Sequence, residues 1–301
     1  MLETTPDPSA ESKPWLELAR DGLVEVREYS CAASAGDPPE AEQFERTCIA
    51  IVQSGVFGIR CGRRPQLLTG GFLLLGNTGQ TYEASHEHGG KDRCLVFDFK
   101  GTVIEELAES LRRGVRGRPF AVNVLPPLPR ADALRHLAEE RLRSGASAIG
   151  LEEIALSLAE YVLDEAGAGA ARPRAGGSDG VEARERVLAA IARMEQSVED
   201  ELSLSALAES AGLSPFKFLR LFKKETGVTP YRFLLQARIR EALAMLRETS
   251  RPVTDIAFDV GFGDLSNFIN AFRREVGCSP RQYRKSGLPG RIRSSSARRI
   301  V

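Results

Sequence analysis

The stretch "LAESAGLSPFKFLRLFKKETGVTPY", residues 207–231, is nearly repeated fifty positions later as "IAFDVGFGDLSNFINAFRREVGCSPRQY", residues 256–283. Ala208 matches Ala257 and Gly212 matches Gly261. After one inserted residue, Phe218 matches Phe268, Phe222 matches Phe272, Gly227 matches Gly277 and Pro230 matches Pro280. Each copy reads as a short helix, a glycine turn and a second helix of about eleven residues, the pattern of a helix-turn-helix unit. Ser214-Pro215, Thr229-Pro230 and Ser279-Pro280 each set a hydroxyl N-cap before a proline at the first helical position. Gly227 and Gly277 stand where a helix C-terminus calls for a left-handed residue.

The paired phenylalanines follow from the helical period. At about 100° per residue, Phe218 and Phe222 share a stripe, as do Phe268 and Phe272, and each pair is expected to grip the first helix of its own unit. Phe216, Arg220 and Lys223 lie on the opposite face of the first unit, and Ser266, Asn270 and Arg273 on that of the second. Between the units, residues 231–249 read as one helix of about 28 Å at 1.5 Å per residue. Two readers held that far apart suit successive major-groove segments about 34 Å apart.

Working outward, the chain of 301 residues is long enough for two domains. Its zero formal charge hides an asymmetry: residues 181–301 hold 21 Lys and Arg against 14 Asp and Glu, while residues 1–180 hold 20 against 27. A basic half joined to an acidic one suggests that the basic half meets a polyanion. The Gly- and Ala-rich run "GAGAARPRAGGSDG", residues 167–180, reads as a flexible linker. The expected organisation is a polar, disordered start over 1–14, a first domain over 15–166, the linker over 167–180, a second domain over 181–286 and a basic disordered tail over 287–301. No apolar run has the length of a membrane span, the N-terminus does not resemble a secretory signal, and five irregularly spaced cysteines suit a reduced, cytoplasmic setting.

The first domain shows short strands punctuated by turns between Thr47 and Phe99, followed by amphipathic helices at 130–143 and 151–166. The strands predict a small barrel or sandwich. The two helices either pack on it or pair with a second copy of the chain, and pairing is the favoured reading. Tyr82, His86 and His88 share a face if 81–88 is one strand, and are candidate effector contacts beside a structural or hydrogen-bonding role. A metal site would need Cys94 or Glu83 as well, because the only other histidine, His136, lies on a helix. No metal or other cofactor is expected. Cys61 reads as a small buried hydrophobe, and the run Arg112, Arg113, Arg116 and Arg118 as a solvated face.

Residues 184–285 resemble the DNA-binding domain of the AraC/XylS family of bacterial transcriptional regulators, through "LAESAGLSP", "RLFKKETGVTP", "IAFDVGF" and "FRREVGCSPRQYR". The strand-rich half more loosely resembles the family's cupin-like effector domain. The resemblance implies an α+β chain: a cupin-like β-barrel with two following helices, then an all-α tandem helix-turn-helix domain. It implies base-facing roles for Phe216, Leu219 and Arg220 in the first unit and for Leu265, Ser266 and Asn270 in the second. Lys217, Lys223, Lys224, Asn267, Arg273 and Arg274 complete the candidate DNA surface. Some members carry Arg where this chain has Asn270; Asn suits adenine as Arg suits guanine. The implied partners are a double-stranded operator, an unknown small-molecule effector, RNA polymerase and a second copy of the chain. The competing readings are a cupin-type metal enzyme with an appended DNA-binding domain, and a regulator whose first domain mediates protein interaction alone.

Overall fold

A computed structural model describes residues 15–19, 22–31, 39–62, 65–86, 92–113, 118–144, 148–167, 181–199 and 202–286. The segments 1–14, 168–180 and 287–301, expected to be disordered or linking, lie outside the described residues. The strands are β1 (Trp15–Ala19), β2 (Val24–Cys31), β3 (Glu40–Gln43), β4 (Cys48–Ser54), β5 (Val56–Arg60), β6 (Pro65–Thr69), β7 (Leu73–Gly76), β8 (Thr81–His86), β9 (Asp92–Phe99) and β10 (Val124–Leu125). The helices are α1 (Val103–Ser110), α2 (Pro129–Arg143), α3 (Ala148–Gly167), α4 (Val181–Gln196), α5 (Leu204–Ser210), α6 (Pro215–Thr226), α7 (Pro230–Glu248), α8 (Val253–Asp259), α9 (Leu265–Val276) and α10 (Pro280–Ser286).

The strands form two antiparallel sheets, ordered β1-β2-β9-β4-β7-β10 and β3-β8-β5-β6. Ile49, Ile51, Leu73, Leu75, Leu95 and Phe97 of the larger sheet pack outward against α1, α2 and α3. Cys48, Ala50, Val52, Leu74, Cys94 and Val96 face the smaller sheet. Strands covered on both faces read as continuous apolar runs, which is why "CIAIV" and "LLL" lack alternation.

The barrel expectation is corrected here: no closed ring of paired strands forms among the described residues. β1 pairs with β2 and β10 with β7, each on one side only, so the larger sheet ends at these two strands without closing onto the smaller one. The β6–β7 turn, which carries the chain from the smaller sheet into the larger, is held to β4, where Gly71 N donates to Val52 O (2.8 Å) and Val52 N to Phe72 O (2.9 Å). The favoured pairing of the two helices with a second copy is corrected too. Leu151, Ala155, Leu158 and Val162 of α3, with Ala131, Leu134 and Ala138 of α2, are buried in the core of their own sheet.

The C-terminal helices begin and end where expected. Ser214 Oγ accepts from Lys217 N, Thr229 Oγ1 from Arg232 N and Ser279 Oγ from Gln282 N. Gly227 and Gly277 are left-handed, with φ of 79° and 93°. In the second unit's turn, Gly261 has φ of 86°, and an added Cβ would sit 2.8 Å from Val198 O and from the Arg238 guanidinium. Only glycine fits there. The helix α4 was not singled out in the sequence, although Val187, Leu188, Ile191 and Met194 carry a helical period and are buried.

Candidate nucleic-acid interface

Two candidate reading helices, α6 and α9, follow the glycine turns that redirect α5 and α8. Phe218, Phe222, Phe268 and Phe272 are fully buried. Phe222 lies 5.7 Å from Phe218 and edge-on to Phe233 of α7; Phe272 lies 5.7 Å from Phe268 and 5.9 Å from Tyr283 of α10. These contacts fix each reading helix to α7 and the elements beside it, so its outer face is presented on a rigid support.

On α6, Phe216, Lys217, Arg220 and Lys223 are exposed, while Leu219 and Lys224 are half-buried. Phe216 is 67% exposed, with the Arg220 guanidinium 5.8 Å from its ring centre. That cation–π contact holds a forked donor beside an apolar plate, a pairing suited to a base edge and a thymine methyl. On α9, Ser266, Asn267, Asn270, Arg273 and Arg274 are exposed and Leu265 is half-buried.

Two α9 candidates are already engaged. Asp264 caps the helix by accepting from Asn267 N (2.7 Å), and its second oxygen accepts from the Asn267 side-chain amide. Arg274 Nε donates to Glu275 Oε1 (3.1 Å), while the other Glu275 oxygen takes Arg232 Nη2 (3.0 Å). Ser266, Asn270 and Arg273 are the exposed α9 candidates for which no such engagement is seen among the described residues. The sequence reading passed over Tyr231, 76% exposed in the first turn of α7. Its place directly after the Thr229-Pro230 cap was the available signal.

In the N-terminal half, Tyr82 stacks on Phe44 with ring centres 4.3 Å apart, and its hydroxyl donates to Glu42. Burial, with the Glu42 bond next, raises the phenol well above its ordinary range. His86 ends β8 opposite Phe57, and His88 lies outside the described residues. Glu83 pairs with Arg60. His136 is buried on α2, its Nε2 2.9 Å from Arg135 Nη2. Among the described residues no group of three His, Cys, Asp or Glu is arranged to hold a metal ion. Burial pushes the Cys61 thiol up to about 11, and burial, then the Asp98 charge, pushes Cys48 up to about 12. Cys94 is raised further by burial, so all three thiols are held toward their protonated form. Of the basic run, Arg113 pairs with Asp164 of α3 at 3.1 Å, Arg112 and Arg118 are exposed, and Arg116 lies outside the described residues.

The family profile described as "Helix-turn-helix domain" matches residues 207–286. The HTH-type transcriptional activator RhaS of Escherichia coli O139:H28 (strain E24377A / ETEC) is 41% identical over 95 residues, 32% of this chain and 34% of RhaS. RhaS of Enterobacter sp. (strain 638) is 40% identical over the same length and shares. The chain therefore spans about a third of the length of the curated relatives it matches. The crystal structure of the DNA-binding domain of AdpA in complex with a target DNA is similar at 27% identity, covering 33% of this chain and 89% of that one, with a TM-score of 0.32. The matched region is a helix-turn-helix domain. Over that region the chain is similar to HTH-type transcriptional activators. No described helix is long and apolar enough to cross a membrane.

Proposed function

We propose that the chain is a sequence-specific transcriptional regulator in which α6 and α9 read two successive major-groove segments under control of the strand-rich half. The observation that carries this is the division of each reading helix: its paired phenylalanines are fully buried while Phe216 and Arg220, or Asn270 and Arg273, stand outward. Phosphate contacts by Lys and Arg supply affinity and register, and the outward side chains supply specificity. RNA polymerase is the partner through which such a protein would act on transcription.

Genome-wide mapping of bound DNA by the full chain should return a recurring two-part site. On that site, log affinity should fall with log salt at a slope of about −0.9 per phosphate contact. Scattered binding without a shared sequence, or salt-insensitive binding, would overturn the reading.

The effector role of Tyr82, His86 and His88 belongs to the same proposal. Tyr82 is half-buried, stacked on Phe44 and bonded to Glu42, so a ligand reaching it would meet the remaining exposed part of the ring or displace one of these partners. Signalling requires a ligand that binds two states unequally. His86→Ala with His88→Ala should therefore abolish the reporter response while leaving operator binding intact. Full induction in a well-folded double variant would move the effector site elsewhere.

A further inference from the structure

The strand-rich half packs against both helix-turn-helix units and against the helix that joins them. At the first unit, β6 lies against α6, and Leu67, Leu68 and Phe72 share one buried apolar cluster with Val187, Phe218 and Phe222. At the second, α2 lies against α7 and α9, and Ala133 of α2 is buried among Leu235, Ile239, Leu243, Phe268 and Phe272. The reading faces stay outside both contacts, since Phe216, Arg220, Asn270 and Arg273 are exposed. The first half thus does not mask the DNA surface.

Polar contacts fasten the same two places. Arg240 of α7 is only 19% exposed; its Nη1 donates to Gly70 O in the β6–β7 turn (2.7 Å) and its Nη2 lies 3.4 Å from Glu195 Oε1 of α4. That same Glu195 oxygen accepts from Thr69 Oγ1 (3.0 Å). The turn is shaped for this arginine: Gly71 has φ of 85°, and a Cβ there would lie 2.5 Å from Arg240 Nη1. Burial raises the Asp132 carboxyl on α2, but the charges of Arg135, Arg240 and His136 outweigh it and hold the group below its ordinary value. About two turns further along α7, Arg247 pairs with Glu140 of α2 and lies 5.8 Å from the ring centre of buried Tyr283.

We infer that the strand-rich half is a clamp that sets the relative placement of the two reading helices, fastened by Arg240 at the first unit and by Arg247–Glu140 at the second. This rests on the regulator reading above and gives it a mechanism. Two readers must match groove segments about 34 Å apart, so a shift of one unit against the other loses contacts at a two-part site. A signal that moves α2 or the β6–β7 turn would change that placement without uncovering anything.

The test measures placement directly, in the full chain and without DNA. Spin labels go on exposed positions of α5 and α8 through Glu209→Cys and Asp255→Cys, with the half-buried Cys61 replaced by Ala. The parent should give one narrow distance distribution. Arg240→Ala with Arg247→Ala should broaden it about twofold, as the units sample more than one arrangement. The same pair of changes should weaken binding to a two-part duplex about tenfold, inside the about 5- to 150-fold range of typical inter-site coupling. If circular dichroism shows that this double variant does not fold, Arg240→Lys decides. It keeps the charge but loses the fork that spans Gly70 and Glu195, and should still broaden the distribution. An unchanged distribution in whichever variant folds overturns the clamp. Broadening with no sequence-specific binding by the parent keeps the clamp and sinks the regulator reading instead.

Discussion

Phe272→Ala should destabilise the chain by about 3–5 kcal/mol, the usual cost of emptying a buried aromatic site. Phe272 is fully buried between Phe268 and Tyr283, and its cavity would open between α9 and α10. Since folded domains are stable by only about 5–15 kcal/mol, much of the margin would go. Urea unfolding is the measurement, with the midpoint displaced at unchanged slope. Phe216→Ala is the control: an exposed side chain away from the core should change stability by no more than about 0.5 kcal/mol. Yet Phe216→Ala should weaken DNA binding. Equal unfolding midpoints for the two variants would refute the assignment of core and reading faces.

Arg220→Ala should weaken binding to the preferred site by about 1–3 kcal/mol and relax the base preference at one or two positions. Its guanidinium is exposed beside the Phe216 ring and makes no ion pair in the described contacts, so removing it leaves no buried charge behind. Lys223→Ala, on the same exposed face, should instead weaken all sequences about equally, as loss of a phosphate contact does. Binding to a randomised duplex pool at fixed salt distinguishes the two. Were both variants to bind more weakly with base preference intact, α6 would not be the reading helix.

The local rules for the C-terminal half were nearly all readable along the chain. Caps at Ser214, Thr229 and Ser279, left-handed Gly227 and Gly277, and the buried phenylalanine stripes each depend on neighbours within about four residues. The strands β4, β5, β7, β8 and β9 were visible for the same reason. The strands β1, β2, β3, β6 and β10 and the helix α1 were not. Several are short or at sheet edges, and their pairing partners, as in Val124 opposite Leu74, come from distant segments.

What the sequence by itself determined, then, is the tandem unit: repeated glycine, cap and aromatic spacings that specify two helix-turn-helix units and the helix between them. What only the tertiary structure decided is how the two halves meet. Arg240 and Gly70 are 170 positions apart, and neither residue type in its local setting announces the other. Likewise Asp132 and Arg135 sit on a helix whose pattern suggests solvated charges, but both are buried at the contact with α7. The reason is physical: helix ends and stripes are set by short-range geometry, whereas a buried charge is stable only once a specific distant partner has been packed against it.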